Sequence, residues 1–257
     1  MTSLDDDFCV LTDAVRDAGD LAHTFFRSKP KSRRKADGSF VSEGDLASND
    51  LLHKRLMQGR PDYGWLSEET EDSPARLSCE RVWMVDPIDG TQAFLNDETD
   101  WCVSAALVAN GQPVLAAIYN PARREYFSAR QGAGATLNGA TLQVQDRDTL
   151  DGARMLASKG VLTAKKWKQP LSVNLLWANS IAYRICMVAA GRADVTCAFN
   201  QKWEWDLAAA VLVAKEAGYT VTGENGQPLT FNNAKPRVQG VIVAPPALHR
   251  LLLARKK

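Results

Sequence analysis

Asp86-Pro87-Ile88-Asp89-Gly90-Thr91 puts two carboxylates three residues apart, just beyond the apolar run Val82-Trp83-Met84-Val85, with a proline and a glycine shaping the bend between them. Both acids can face one point. Carboxylate and carbonyl oxygens are hard donors suited to Mg2+, which keeps several waters and is held by few protein carboxylates plus a substrate phosphate. The Ile88 carbonyl is a further candidate donor. Gly90-Thr91 can open a helix whose free N–H groups point at the same place, where a phosphate sits favourably.

Three other acidic points flank the ends of expected elements: Asp45 before a helical pattern, Glu68 with Glu69 after Gly64-Trp65-Leu66, and Asp206 within Trp203-Glu204-Trp205-Asp206. Taken singly, Asp45 and Asp206 read as helix N-caps, Asp86-Pro87 as a turn opener and Glu68-Glu69-Thr70-Glu71 as a solvated charge run. Together they read differently, because clustered acids repel unless cations neutralise them.

The elements that must position these acids follow from periodicity. Leu4, Phe8, Leu11, Val15, Ala18, Ala22 and Phe25 recur at steps of three and four, which predicts an amphipathic opening helix. From Arg27 to Lys35 six of nine residues are basic, and Ala36-Asp37-Gly38-Ser39 follows, which predicts a mobile loop able to steer an anion or close over a site. A second helix carries Leu46, Leu51, Leu52 and Leu56. Cys102 to Ala109 meets Pro113 to Tyr119 across Asn110-Gly111, a hairpin signal, and the meander continues to about Val144. Short strands are expected at 155–157, 173–177, 195–199 and 241–244, with helices at 181–190, 207–217 and 248–256. The first half is therefore α+β and the second α/β. Asp146-Arg147-Asp148 and Asp151-Gly152 interrupt the apolar pattern, giving halves of 1–148 and 149–257.

Composition narrows the function classes. The chain has 257 residues, 45% hydrophobic and 24% charged, an ordinary globular balance. A formal charge of +1 supplies no global field for nucleic acid or an anionic membrane. Cys9, Cys79, Cys102, Cys186 and Cys197 form no Cys-x-x-Cys pair and read as small buried side chains in a reducing compartment. The N-terminus is acidic where a secretion signal would be basic, and no apolar run is long enough for a membrane span, so a cytoplasmic protein is expected. His23, His53 and His249 have no partner at ligand spacing, and the tryptophans read as packing.

From Gly44-Asp45 through Leu66-Ser67-Glu68-Glu69-Thr70 and Trp83 to Thr91 to Trp205-Asp206, the chain resembles the inositol monophosphatase family of Mg2+-dependent, lithium-sensitive phosphomonoesterases, closest to bacterial members like the 3'(2'),5'-bisphosphate nucleotidases. The resemblance implies a layered α-β-α-β-α sandwich, a homodimer and two or three Mg2+ ions. It makes Glu68, Asp86 and the Ile88 carbonyl ligands of one ion, and Asp86, Asp89 and Asp206 ligands of a second. Glu68 would orient or deprotonate the attacking water, Asp45 and Thr91 would form a hydrogen-bonded pair assisting it, and the Gly90 and Thr91 N–H groups would hold the phosphate.

The substrate side is less legible. Family members that prefer inositol phosphate carry an acid seven positions before the last metal aspartate, and here that position is Phe199. Phe199 offers either a ring for a planar group or plain strand packing. Ser180 and Arg184, within Asn179-Ser180-Ile181-Ala182-Tyr183-Arg184, resemble a substrate-facing segment that would suit a second phosphate. The expected activity is hydrolysis of a small-molecule phosphomonoester, foremost a 3'(2'),5'-bisphosphate nucleotide, with inositol 1-phosphate and histidinol phosphate as alternatives. A role in binding a protein or RNA partner, with the metal site retained, is the competing class; the charge balance weighs against direct RNA contact.

Overall fold

The computed structural model describes residues 3–163 and 165–257. The opening helix α1 (Leu4–Phe25) is capped by Ser3, whose Oγ accepts the Asp6 N–H at 3.0 Å, and it buries Leu11, Val15, Ala18 and Ala22. Next come β1 (Ser32–Arg34), β2 (Phe40–Ser42) and α2 (Glu43–Met57). Within the stretch 27–35, expected to be a mobile loop, Ser32–Arg34 instead forms one strand of a hairpin: Arg33 pairs with Val41, and the Lys35 N–H closes on the Ser39 carbonyl at 2.8 Å. The turn falls at Asp37-Gly38, within the stretch whose turn chemistry the sequence shows, with Gly38 at φ 90°.

A seven-stranded sheet follows in the order β3 (Gly64–Ser67), β4 (Arg81–Asp89), β5 (Cys102–Ala109), β6 (Gln112–Asn120), β7 (Glu125–Arg130), β8 (Gly134–Leu137) and β9 (Ala140–Thr141). It is antiparallel except where β3 runs parallel to β4. The Asn110-Gly111 hairpin forms as its residues predict, both with positive φ. The short helix α3 (Thr91–Leu95) lies between β4 and β5.

The second half adds β10 (Ala153–Leu156), β11 (Val173–Leu176), α4 (Ile181–Ala189), β12 (Val195–Trp203), α5 (Glu204–Glu216), β13 (Thr220–Thr222), β14 (Arg237–Ala244) and α6 (Pro246–Arg255). Its five strands are ordered β11-β10-β12-β14-β13, with β10 parallel to both neighbours.

Three apolar clusters define the layers. Leu11, Val15, Leu52 and Leu56 of α1 and α2 pack on Trp83, Val85, Val103 and Leu107, one face of the first sheet. The opposite face, with Met84, Ala106, Ile118 and Phe127, packs on Ile185, Val188, Leu207 and Val211 of α4 and α5, which also meet Ala198, Val241 and Val243 of the second sheet. Met155, Val195, Cys197 and Ile242 then close against Leu248 and Leu252 of α6. The order is α-β-α-β-α. A helix flanked by sheets on both sides needs apolar residues all round, and α5 has them from Leu207 to Ala214. Burying each leucine or valine there contributes roughly 1.5–3 kcal/mol.

Candidate active site

In an unbroken strand Asp86 and Asp89, an odd number of residues apart, would point to opposite faces. A bulge prevents this: Asp86 pairs with Ser104 and Asp89 with Cys102, three steps on β4 against two on β5. Both carboxylates therefore line one cleft, of about 260 Å³, with Glu68, Asp206, Ile88, Gly90, Thr91 and Asn179. Gly90 turns the chain from β4 into α3 at φ 99°, and a Cβ there would meet the Asp100 carbonyl at 2.9 Å.

Asp45 and Asp206 are not N-caps, as their sequence neighbourhoods suggest. Ser42 and Trp203 hold those places, and each acid is the third helical residue, accepting the cap N–H: Ser42 to Asp45 at 2.8 Å, Trp203 to Asp206 at 3.3 Å. The second oxygen of Asp45 accepts the Thr91 hydroxyl at 2.9 Å. Thr91 Oγ1 also lies 3.1 Å from the Ile88 carbonyl.

Each acid on β4 has one oxygen secured. Asp86 Oδ1 accepts the Ile88 N–H at 3.0 Å, and Asp89 Oδ2 accepts the Ser180 hydroxyl at 2.5 Å and the Ala182 N–H at 2.6 Å. Asp86 Oδ2 is buried with no hydrogen-bond partner among the described residues. An orphaned buried carboxylate oxygen costs free energy that a cation would recover. Hard oxygen donors and an orphaned lone pair fit a divalent ion such as Mg2+.

Among the described residues, the side chains do not close on a single point as a formed metal cage would. Their charges act on one another. Burial, reinforced by Glu68, Asp89 and Asp206, pushes Asp86 well above the usual carboxylate range, and burial with Asp89 and Glu68 does the same to Asp206. Burial lifts Asp45 and Asp89 each to about 6, against the hydrogen bonds from Ser42 and Thr91 and from Ser180 and Ala182.

A protein cation partly fills the need. Lys35, at the end of the β1 strand, places Nζ 2.8 Å from Glu68 Oε1 and 2.6 Å from Glu69 Oε1. Burial opposes the Lys35 charge, but the two glutamates outweigh it and its pKa is raised; Glu69 is lifted by burial to about 7 despite Lys35. Half-buried Lys202, at the end of β12, is a second cation whose charge favours ionised Asp89 and Asp206. Sequence reasoning missed the individual roles of both lysines: Lys35 lay in a presumed loop, and Lys202 beside a tryptophan pair.

The three expected substrate contacts are rearranged. Ser180 caps α4 and holds Asp89. Arg184 is buried, its Nε donating to the Ala178 carbonyl at 2.5 Å and Nη2 to the Asn179 carbonyl at 3.1 Å, so it braces the cleft wall. Phe199 is corrected to core packing. Val195, Cys197 and Phe199 alternate onto the outer face of the second sheet, and the Phe199 ring lies 5.5 Å from that of Trp167. A larger cavity of about 730 Å³, between Gly59–Tyr63 and Ser78–Arg81, lies away from the acids, and its Arg60, Tyr63 and Arg81 are tied to Asp7.

Comparison with known proteins agrees with this geometry. The model of the inositol monophosphatase family matches residues 4–256. An inositol monophosphatase of Mesembryanthemum crystallinum is 28% identical, the match covering 87% of each chain. The 3'(2'),5'-bisphosphate nucleotidase CysQ of Escherichia coli is 32% identical over 84% of this chain and 90% of its own. The Nus factor SuhB of Xylella fastidiosa is also 32% identical, over 81% of this chain and 78% of its own. The crystal structure of the extragenic suppressor protein suhB from Bartonella henselae superposes with a TM-score of 0.82 at 27% identity, covering 95% of this chain and 96% of that one.

Proposed function

The chain belongs to the inositol monophosphatase family, whose members hydrolyse phosphomonoesters, and from that membership we propose that it is a Mg2+-dependent phosphatase acting on a 3'(2'),5'-bisphosphate nucleotide. The observation that carries the chemistry is the Thr91–Asp45 hydrogen bond at 2.9 Å at the edge of a cleft lined by Glu68, Asp86, Asp89 and Asp206. Acids collected for a ligand set alone would not require that pair.

When bound, Mg2+ neutralises phosphate oxygens and makes a water acidic enough to attack at neutral pH. Glu68, Asp86, the Ile88 carbonyl, Asp89 and Asp206 would hold it. Because the Thr91 hydroxyl donates its proton to Asp45, its oxygen keeps lone pairs that can accept one from the water. Asp45, lifted to about 6, is matched to take that proton near neutral pH. Gly90 and Thr91 present main-chain N–H groups at the start of α3 to the phosphate, and Ser180 keeps Asp89 in one orientation.

A nucleotide substrate is favoured over inositol phosphate by the charge of the second wall. The position seven before Asp206 holds no acid, its Phe199 packing away from the cleft, and Lys202 brings a cation to the same strand end. Phosphate release should be measured with Mg2+, with and without EDTA, on 3'-phosphoadenosine 5'-phosphate, inositol 1-phosphate and histidinol phosphate, with Asp86→Asn as the blank. A kcat/KM preference of about a hundredfold for the nucleotide, roughly 2.7 kcal/mol in the transition state, supports the reading. Equal or better turnover of inositol 1-phosphate overturns the substrate, and turnover unchanged in excess EDTA overturns the mechanism. The assembly proposed is a homodimer, for which light scattering should give about twice 28.2 kDa.

A further inference from the structure

Among the exposed large hydrophobic side chains of the described residues Trp177 stands out, at 58% exposure. It directly follows β11, beyond the carboxyl edge of the parallel strands β10 and β11, where open α/β sheets place ligands. One face of its indole is closed: the Arg184 guanidinium carbon lies 4.1 Å from the ring centroid. Arg184 is itself buried and makes no ion pair among the described residues. Its hydrogen bonds go to the carbonyls of Ala178 and Asn179, the two residues that follow the tryptophan.

A buried guanidinium bonded to two main-chain carbonyls and stacked on one ring ties those groups into one rigid segment. The other end of that segment lies in the cleft. Asn179 lines it, and Ser180 donates to Asp89 at 2.5 Å. A single braced run of four residues therefore connects a metal-binding carboxylate to an indole with one open face. We propose that this open face of Trp177 is the platform on which the planar base of the nucleotide substrate stacks, with Arg184 as its positioning residue. The proposal rests on the nucleotide reading above.

Two alternatives fit less well. Phe40, a ring that lines the cleft itself, is half-buried in the hairpin, with the Arg34 guanidinium carbon 5.7 Å from its centroid. A protein docking face of ordinary size takes about 800 Å² from each partner, whereas the neighbouring exposed apolar side chain on this strand end is Leu176, at 38%. One indole and one leucine match a base better than a protein surface.

The test compares wild type, Trp177→Ala and Trp177→Phe on 3'-phosphoadenosine 5'-phosphate and on 2-glycerophosphate, which has the same phosphomonoester and no ring. The expected result is a loss of about tenfold or more in kcat/KM for the nucleotide in Trp177→Ala, carried by KM. Trp177→Phe should recover most of it, and 2-glycerophosphate turnover should stay within about twofold throughout. Adenosine 5'-monophosphate, the expected product, added in EDTA so that it is not hydrolysed, should quench a component of the tryptophan emission that is missing in Trp177→Phe. Equal losses on both substrates, an unchanged KM for the nucleotide in Trp177→Ala, or a change of oligomeric mass in that variant overturns the platform. If wild type itself does not hydrolyse the nucleotide while it hydrolyses another phosphomonoester, the nucleotide reading has failed before the variants are compared.

Discussion

Asp45 and Asp206 occupy the same position in two unrelated helices, the third residue of α2 and of α5, and each pins the N–H of the residue before its helix. An asparagine oxygen can accept the same N–H, so both helices should start normally in the amide variants. Asp206→Asn should then raise the Mg2+ needed for half-maximal turnover by more than about tenfold. Asp45→Asn should lower kcat by about 10²–10⁴ with the Mg2+ requirement unchanged. Thermal melts of both variants check that the fold survives, and Mg2+ titrations of the rate separate the two roles; identical titration curves would refute the division.

Thr91 Oγ1 is one atom serving two neighbours, Asp45 and the Ile88 carbonyl. Thr91→Ala should cut kcat by about 10²–10³ with little change in KM, and Thr91→Ser should retain most of the rate, because the hydroxyl and not the methyl carries the proton. A serine variant as slow as the alanine variant would move the role from proton handling to packing.

The buried acids make metal-dependent stability a function of pH. Asp45 and Asp89 are raised to about 6 and Glu69 to about 7, and Asp86 and Asp206 are raised well above the usual carboxylate range, all above the unfolded value of about 4. The metal-free folded protein thus binds these protons more tightly than the unfolded chain. That contribution is complete below about pH 4 and is lost as pH rises through 6 to 7. The Tm in EDTA should fall between pH 5.5 and 8, and the Tm gain from Mg2+ should grow over the same interval as the carboxylates are freed to bind it. A gain of equal size at both ends of the interval would contradict the linkage.

Lys35 neutralises the same glutamate that would bind the metal. Lys35→Met should therefore tighten Mg2+ binding about three- to tenfold, because the ion no longer competes with an ammonium on Glu68. Calorimetric titration of the metal measures this independently of turnover. Weaker binding would mean that Lys35 organises Glu68 for the metal instead of competing with it.

Much of this arrangement was legible from residue types and spacing. Asp86 and Asp89 stand out by their spacing at a bend, whereas Asp45, Glu68 and Asp206 read singly as caps and a charge run and gain site roles from their joint occurrence and from the family resemblance; α1 and the Asn110-Gly111 hairpin follow from periodicity and turn chemistry. What could not be read depends on contacts between distant positions. Lys35 meets Glu68 only because Asp37-Gly38 folds the basic stretch back on itself, and Ser180 meets Asp89 only because α4 packs beside β4. Phe199 was assigned by its distance from Asp206, but strand alternation with Val195 and Cys197 decides its face, and the bulge between Ala198 and Gln201 breaks the counting.

The position of α5 between the two sheets also has a consequence for how the chain is made. The inner face of the first sheet, with Leu66, Met84, Ala106, Ile118 and Phe127, finds its cover in α4 and α5, which leave the ribosome long after it. Until then an apolar surface and the acids of β4 wait together, the one without a lid and the other without Asp206. The nascent first half is thus exposed to mispairing and to chaperone capture. Folding and assembly of the acidic cleft are completed by the same late segment, so a chain truncated before Glu204 would lose both at once.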